Sequence, residues 1–171
     1  MKGLYTRRFA RFLSIERLLW AGLLGFGIFM LVRYKTVPSL EQDSIVVTDS
    51  LHVQHKLAEL TSSGPTIVHF YASWCGPCLR ELPEIKEFMQ TPLGQKINFV
   101  FITEDREDQV KAFRERYGFN IYRVDKLKDA NIYSIPVTYL LNEKHEIVKS
   151  ELGKWNWRDE NFKNEISTLI K

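Results

Sequence analysis

The sequence predicts an α/β fold, a three-layer sandwich around a mixed sheet, carried behind an N-terminal transmembrane helix. Three observations predict it. The runs Thr66–Tyr71, Ile97–Thr103 and Val137–Leu141 are β-branched and aromatic without clean alternation, as strands covered on both faces are. Apolar side chains at helical spacing follow them, in the sets Leu82, Ile85 and Met89, then Val110, Phe113 and Tyr117, then Phe162, Ile166 and Leu169. Finally, Leu18–Val32 reads LLWAGLLGFGIFMLV, without a charge and flanked by Arg17 and Arg33.

Taken in order, the apolar run at 18–32 comes first. At 1.5 Å per residue it covers ~22 Å of a ~30 Å hydrocarbon core, which suffices if the flanking arginines reach the headgroups and the bilayer thins. A cleaved signal peptide is the alternative. Against it, Arg33, Tyr34 and Lys35 follow the run directly, no A-x-A site is present, and there is no lipoprotein cysteine. Lys2, Arg7, Arg8, Arg11 and Arg17 precede the span and only Arg33 and Lys35 follow it, which predicts a cytoplasmic N-terminus. Residues 1–35 are thus the basic segment and anchor, 36–49 a linker and the start of a domain, and 50–171 the domain itself.

Within the domain, Ile45–Val47 is a short apolar run, and Ser50 is placed to cap a helix reaching about Thr61, which Gly64-Pro65 would end. His52 and His55 would then share a helix face as a weak candidate metal pair. A strand at 66–71 and a helix from Cys75 to Met89 follow. The strand at 137–141 turns at Asn142–His145 into Glu146–Ser150 as a hairpin, and a last helix closes the chain. Trp155 and Trp157 are expected in the core or against a helix.

Composition excludes several functions. The formal net charge is +3, with 24 Lys and Arg in all. Seven of these lie in residues 1–35, so from Thr36 onward 17 basic side chains face 20 acidic ones and no cationic stripe remains for nucleic acid. No repeat or low-complexity tract is present, and nothing signals oligomerisation, so a monomer is expected.

The two cysteines stand in the run Trp74-Cys75-Gly76-Pro77-Cys78. Zinc needs four ligands, and no second cysteine pair or finger-spaced histidine pair exists. Covalent haem needs a histidine after the second cysteine, where this chain has Leu79. A structural disulfide closing so small a loop removes little chain entropy. A redox pair explains more. Cys75 falls at a helix N-terminus, where unsatisfied N–H groups and the helix dipole favour its thiolate, so it is the expected nucleophile. Cys78, one turn inside the helix, is placed to attack a mixed disulfide formed by Cys75. Pro77 sits in the first turn, where its missing N–H costs nothing.

Trp-Cys-Gly-Pro-Cys after a strand resembles the active-site signature of thioredoxins. Pro83 stands where that family's active-site helix has its kinking proline, Ile135-Pro136 resembles the cis-proline loop that faces the thiols, and Gly153 matches the glycine closing the hairpin. Residues from about 105 to 125, with the N-terminal anchor, resemble the insertion and tether of TlpA/ResA-type proteins. The resemblance runs from about Ser44 to Lys171 and implies a thioredoxin-like fold. It also implies a thiol-disulfide oxidoreductase on the periplasmic, extracytoplasmic side of a bacterial inner membrane, without cofactor or metal beyond the Cys75–Cys78 disulfide. A disulfide-containing client protein and a membrane electron donor would be its partners. Gly76-Pro77 resembles reducing members, with an oxidase or isomerase as the alternative, and a non-catalytic client-holding factor as another. One position departs from the family: a buried carboxylate is usual six residues before the first cysteine, and this chain has His69, either a core residue or a base beneath Cys78.

Overall fold

The structure, a computed structural model, describes residues 16–30 and 37–170. Two units are distinguished, Met1–Thr36 and Val37–Lys171. In the first, residues 16–30 form a helix, α1, whose apolar side chains, among them Leu18, Trp20 and Phe29, are exposed. Among the described residues no helix is long and apolar enough to cross a membrane. Leu31 and Val32, at the end of the expected span, lie outside the described residues. So do the flanking Lys2, Arg7, Arg8, Arg11, Arg33 and Lys35.

The second unit contains β1 (Val46–Thr48), β2 (Gln54–Lys56), α2 (Leu57–Leu60), β3 (Thr66–Phe70), α3 (Gly76–Met89), β4 (Asn98–Thr103), α4 (Glu107–Tyr117), β5 (Ile121–Arg123), β6 (Val137–Leu141), β7 (Ile147–Leu152) and α5 (Glu160–Leu169). These strands form one sheet in the order β2-β1-β5-β4-β3-β6-β7. β3 lies between parallel β4 and antiparallel β6, so its register places His69 beside Phe101 on one side and Thr138 on the other. Every residue of β3 and β6 is buried, which accounts for their unbroken apolar composition.

Alternation along these strands divides the core in two. Ile67, Tyr71, Phe99 and Phe101 pack with α3, α4 and α5 through Leu82, Ile85, Val110 and Ile166. Val68, Phe70, Val100 and Tyr139 face the opposite way, against Leu57, Leu127 and the N-terminal Leu40 and Ile45. That second layer is thin, because the helix expected from Ser50 to Thr61 is reduced to Leu57–Leu60. The carboxylate of Asp49 accepts the N–H groups of Leu51 (2.8 Å) and Val53 (2.9 Å), and His52 takes a φ of 62°. Asp49 so captures donors that a helix beginning at Ser50 would have aligned, and residues 54–56 pair antiparallel with β1 instead. His52 and His55 therefore share no helix face. His55 Nε2 lies 3.0 Å from Asp49 Oδ2, and His52 occupies the turn.

Residues 37–49 also do more than tether. Tyr139 donates its hydroxyl to the Pro38 carbonyl (2.8 Å), and Leu40 and Ile45 are buried, so the folded unit begins near Val37. The stretch at 105–125 contains α4 and β5, a helix and a short strand inserted beside β4.

Candidate active site

Cys75 is the N-cap of α3, and its sulfur accepts the N–H of Cys78 at 3.3 Å. Pro77 follows in the first turn, and the helix continues through Pro83 to Met89. Cys75 and Cys78 are joined as a disulfide, with Cα atoms 5.3 Å apart. Cys75 is 5% exposed and Cys78 fully buried, while Trp74, Gly76 and Pro77 are exposed around them. Trp74, beside the disulfide, is 69% exposed.

The loop leading into α3 is fixed from a neighbouring loop. Asp105, buried after β4, accepts both the N–H of Ser73 (2.7 Å) and its hydroxyl (3.0 Å), and Gln109 of α4 donates to the same hydroxyl (2.9 Å). Ser73 precedes Cys75 by two residues, so this clamp holds the approach to the nucleophile. Across from it, the Ile135–Pro136 peptide is cis, and the Ile135 carbonyl oxygen lies 3.8 Å from Cys75 Sγ. Pro136 is held in turn, its carbonyl accepting the Gly153 N–H at 2.7 Å; Gly153 adopts a φ of 103°, open to glycine without strain. Structure therefore brings Trp74, Cys75, Gly76, Pro77, Cys78, Ile135 and Pro136 to one place.

His69 lies deeper. It is fully buried, its Nδ1 is 2.9 Å from Thr138 Oγ1, and its ring stacks on Tyr71 and meets Phe101 edge-on. Burial lowers its pKa to about 3, which leaves it neutral and far from the near-neutral value a proton acceptor at this position requires.

A titratable group that sequence reasoning missed is Glu81, fully buried on α3 one turn after Cys78. Its Oε1 accepts the Trp155 N–H (2.9 Å) and the Trp157 indole N–H (2.6 Å), and its Oε2 has no partner. Burial raises its pKa from 4.5 to about 7, against the lowering effect of those two bonds and of Lys154. The signal was present in the spacing, since Cys78, Glu81, Leu82, Ile85 and Phe88 form the buried face of α3. Among the described residues no group of three or more His, Cys, Asp or Glu side chains could hold a metal ion.

Chemically, an N-capping cysteine with a buried partner one turn along the same helix is an arrangement that thiol-disulfide exchange can use, and the buried Glu81 carboxyl lies on that same helix face. The chain is similar to several known proteins. The sporulation thiol-disulfide oxidoreductase A of Bacillus subtilis is 34% identical over 97 residues, 52% of this chain and 59% of that protein. The chain spans little more than half the length of this relative and of the thioredoxin-like protein YneN of the same organism, at 59% and 55%. The thiol-disulfide oxidoreductase ResA of Bacillus thuringiensis is 24% identical over 152 residues, 84% of this chain and 87% of that one. Among solved structures, StoA from Bacillus subtilis superposes with a TM-score of 0.56 at 27% identity, covering 77% of this chain and 98% of StoA. The fold is thioredoxin-like, and, with the AhpC/TSA family model matching residues 36–156, this chain belongs to the AhpC/TSA family.

Proposed function

We propose that the protein is a thiol-disulfide oxidoreductase that reduces disulfides of client proteins through Cys75 and Cys78. The observation that carries this reading is the redox pair itself, capping α3 opposite the cis Ile135–Pro136 peptide. Reduced Cys75 attacks one sulfur of the client disulfide, and the displaced client sulfur leaves as a thiolate. Cys78 then loses its proton and attacks Cys75, the Cys75–client bond breaks, and the second client sulfur leaves with its electron pair and takes up a proton. Two electrons have passed to the client, and the protein holds the disulfide.

Glu81 is the group we assign to receive the Cys78 proton, one turn away on the same buried face. His69, neutral and bonded to Thr138, serves as a core residue. No cofactor beyond the cysteine pair is invoked, and a membrane electron donor re-reduces it. The apolar run from Leu18, with the basic excess before it, supports a single-pass anchor with the domain on the extracytoplasmic side.

Changing Cys78→Ser tests the chemistry. The variant should retain attack and accumulate in cells as a mixed disulfide of higher mass that collapses on reduction. The double change of Cys75→Ser and Cys78→Ser should trap nothing. A single variant that stays free while keeping wild-type activity would replace covalent exchange with non-catalytic holding of clients.

A further inference from the structure

The segment from Gly153 to Arg158 crosses α3 and is tied to three acidic residues spaced three apart along that helix. Lys154 Nζ meets Glu84 at 2.7 Å, Arg158 meets Glu87 at 2.9 Å and Glu84 at 3.7 Å, and Trp155 and Trp157 donate to Glu81. Its first residue is fixed independently, since the Gly153 N–H is held by the Pro136 carbonyl. The indoles are fixed as well. Trp155 and Trp157 stack on each other with centroids 5.3 Å apart, both meet Phe162 of α5 edge-on, and Trp157 packs on Phe88. The Trp157 indole N–H cannot turn away from Glu81 without breaking this packing, and the other donor, the Trp155 backbone N–H, is held by the main chain.

Two donors converge on Oε1 and none reaches Oε2. Such an arrangement favours the ionised carboxylate through one oxygen and leaves the other open to take a proton. We propose that Trp157 is a positioning residue for the exchange reaction: its indole N–H sets the proton affinity of Glu81 and so the pH at which Cys78 resolves the mixed disulfide. This rests on the reading of Glu81 as the acceptor of the Cys78 proton. The charged and titratable groups that bear on Glu81 are Lys154 from the same segment, and Glu84 and Cys78 from its own helix. Trp157 differs from these in direct contact with the carboxylate and in being removable without a change of charge.

The test separates attack from resolution. Reduced protein mixed with dithiobis-nitrobenzoate releases one thionitrobenzoate when Cys75 attacks and a second when Cys78 resolves, so two phases are read in one trace. Loss of a donor to the charged form raises a carboxyl's pKa, so Trp157→Phe should shift the midpoint of the second phase upward by about one pH unit. At pH 7 that makes resolution about fivefold slower, with the first phase unchanged. Equal slowing of both phases, or an unmoved midpoint, overturns the proposal. Glu81→Gln decides the underlying reading: if it leaves the second phase and its pH profile as in the wild type, Glu81 is not the acceptor. If Glu81→Gln slows that phase while Trp157→Phe does not move it, only the role of Trp157 fails. A measurement without substitution guards against a poorly folded variant. In the wild-type protein, the Trp157 indole N–H resonance should titrate with the same midpoint as the second phase, and a flat trace across that range refutes the assignment.

Discussion

Glu81 and His69 are both fully buried, and burial pushes their pKa values in directions that give opposite stability signatures. Glu81 rises from 4.5 to about 7, so between those values the folded state binds more protons than the unfolded state. Its contribution is therefore most favourable below pH 4.5 and declines as pH rises through about 7, by on the order of 3 kcal/mol at the limit. His69 falls from 6.5 to about 3, so the unfolded state binds more protons in that window. Its contribution is complete above pH 6.5 and is lost as pH falls toward 3. Urea unfolding across pH should show Glu81→Gln removing a decline in stability between about pH 4.5 and 7, and His69→Asn removing a loss of stability as pH falls from 6.5 toward 3. If Glu81→Gln leaves the slope between pH 4.5 and 7 as it was, the carboxyl does not carry that titration.

At the scale of elements, α3 is positioned by its entry loop as much as by its packing. The Asp105 carboxylate satisfies both polar groups of Ser73, so Asp105→Ala leaves a partly buried N–H without an acceptor. A loss of about 1–3 kcal/mol in unfolding free energy is expected, with slower attack by Cys75. Asp105→Asn, which keeps one acceptor, should recover most of both. Unchanged attack in the alanine variant would show that the clamp does not position the nucleophile. This element also marks what could be read beforehand. The strands at 66–70, 98–103 and 137–141 and the helices after them were legible, because their composition follows directly from burial on one or both faces. Cys75, Cys78 and the Ile135–Pro136 peptide were legible because local spacing and a resemblance point to them. The position of Glu81 on the buried face of α3 was open to the same spacing argument, but its partners and those of Asp105 were not legible, since they lie 74 or more and 32 positions away and only the fold brings them together. The helix expected at Ser50 failed for a local reason: Asp49, one residue earlier, uses its side chain to build a turn.

For the whole molecule, the asymmetric charge of residues 1–35 and the apolar run from Leu18 carry the expectation of an anchored chain. The full-length protein should remain with membranes at high salt, and a membrane-impermeant thiol reagent applied to spheroplasts should label reduced Cys75. Labelling only after lysis would reverse the orientation, and a soluble species beginning near Leu40 would restore a cleaved signal. The domain that such an anchor would hold at a membrane surface has a sheet ending in two open strands, β2 and β7. Crowding many copies at one surface brings such edges together, and an edge with free N–H and C=O groups invites pairing between copies. β2 has only three residues, among them His55 and Lys56, and β7 carries Lys149 and Glu151, with Lys149 bridged to Glu165 of α5. Joining either edge to another chain would strip water from these charges, so the short length of β2 and the charge at both edges disfavour pairing of this sheet with a second copy.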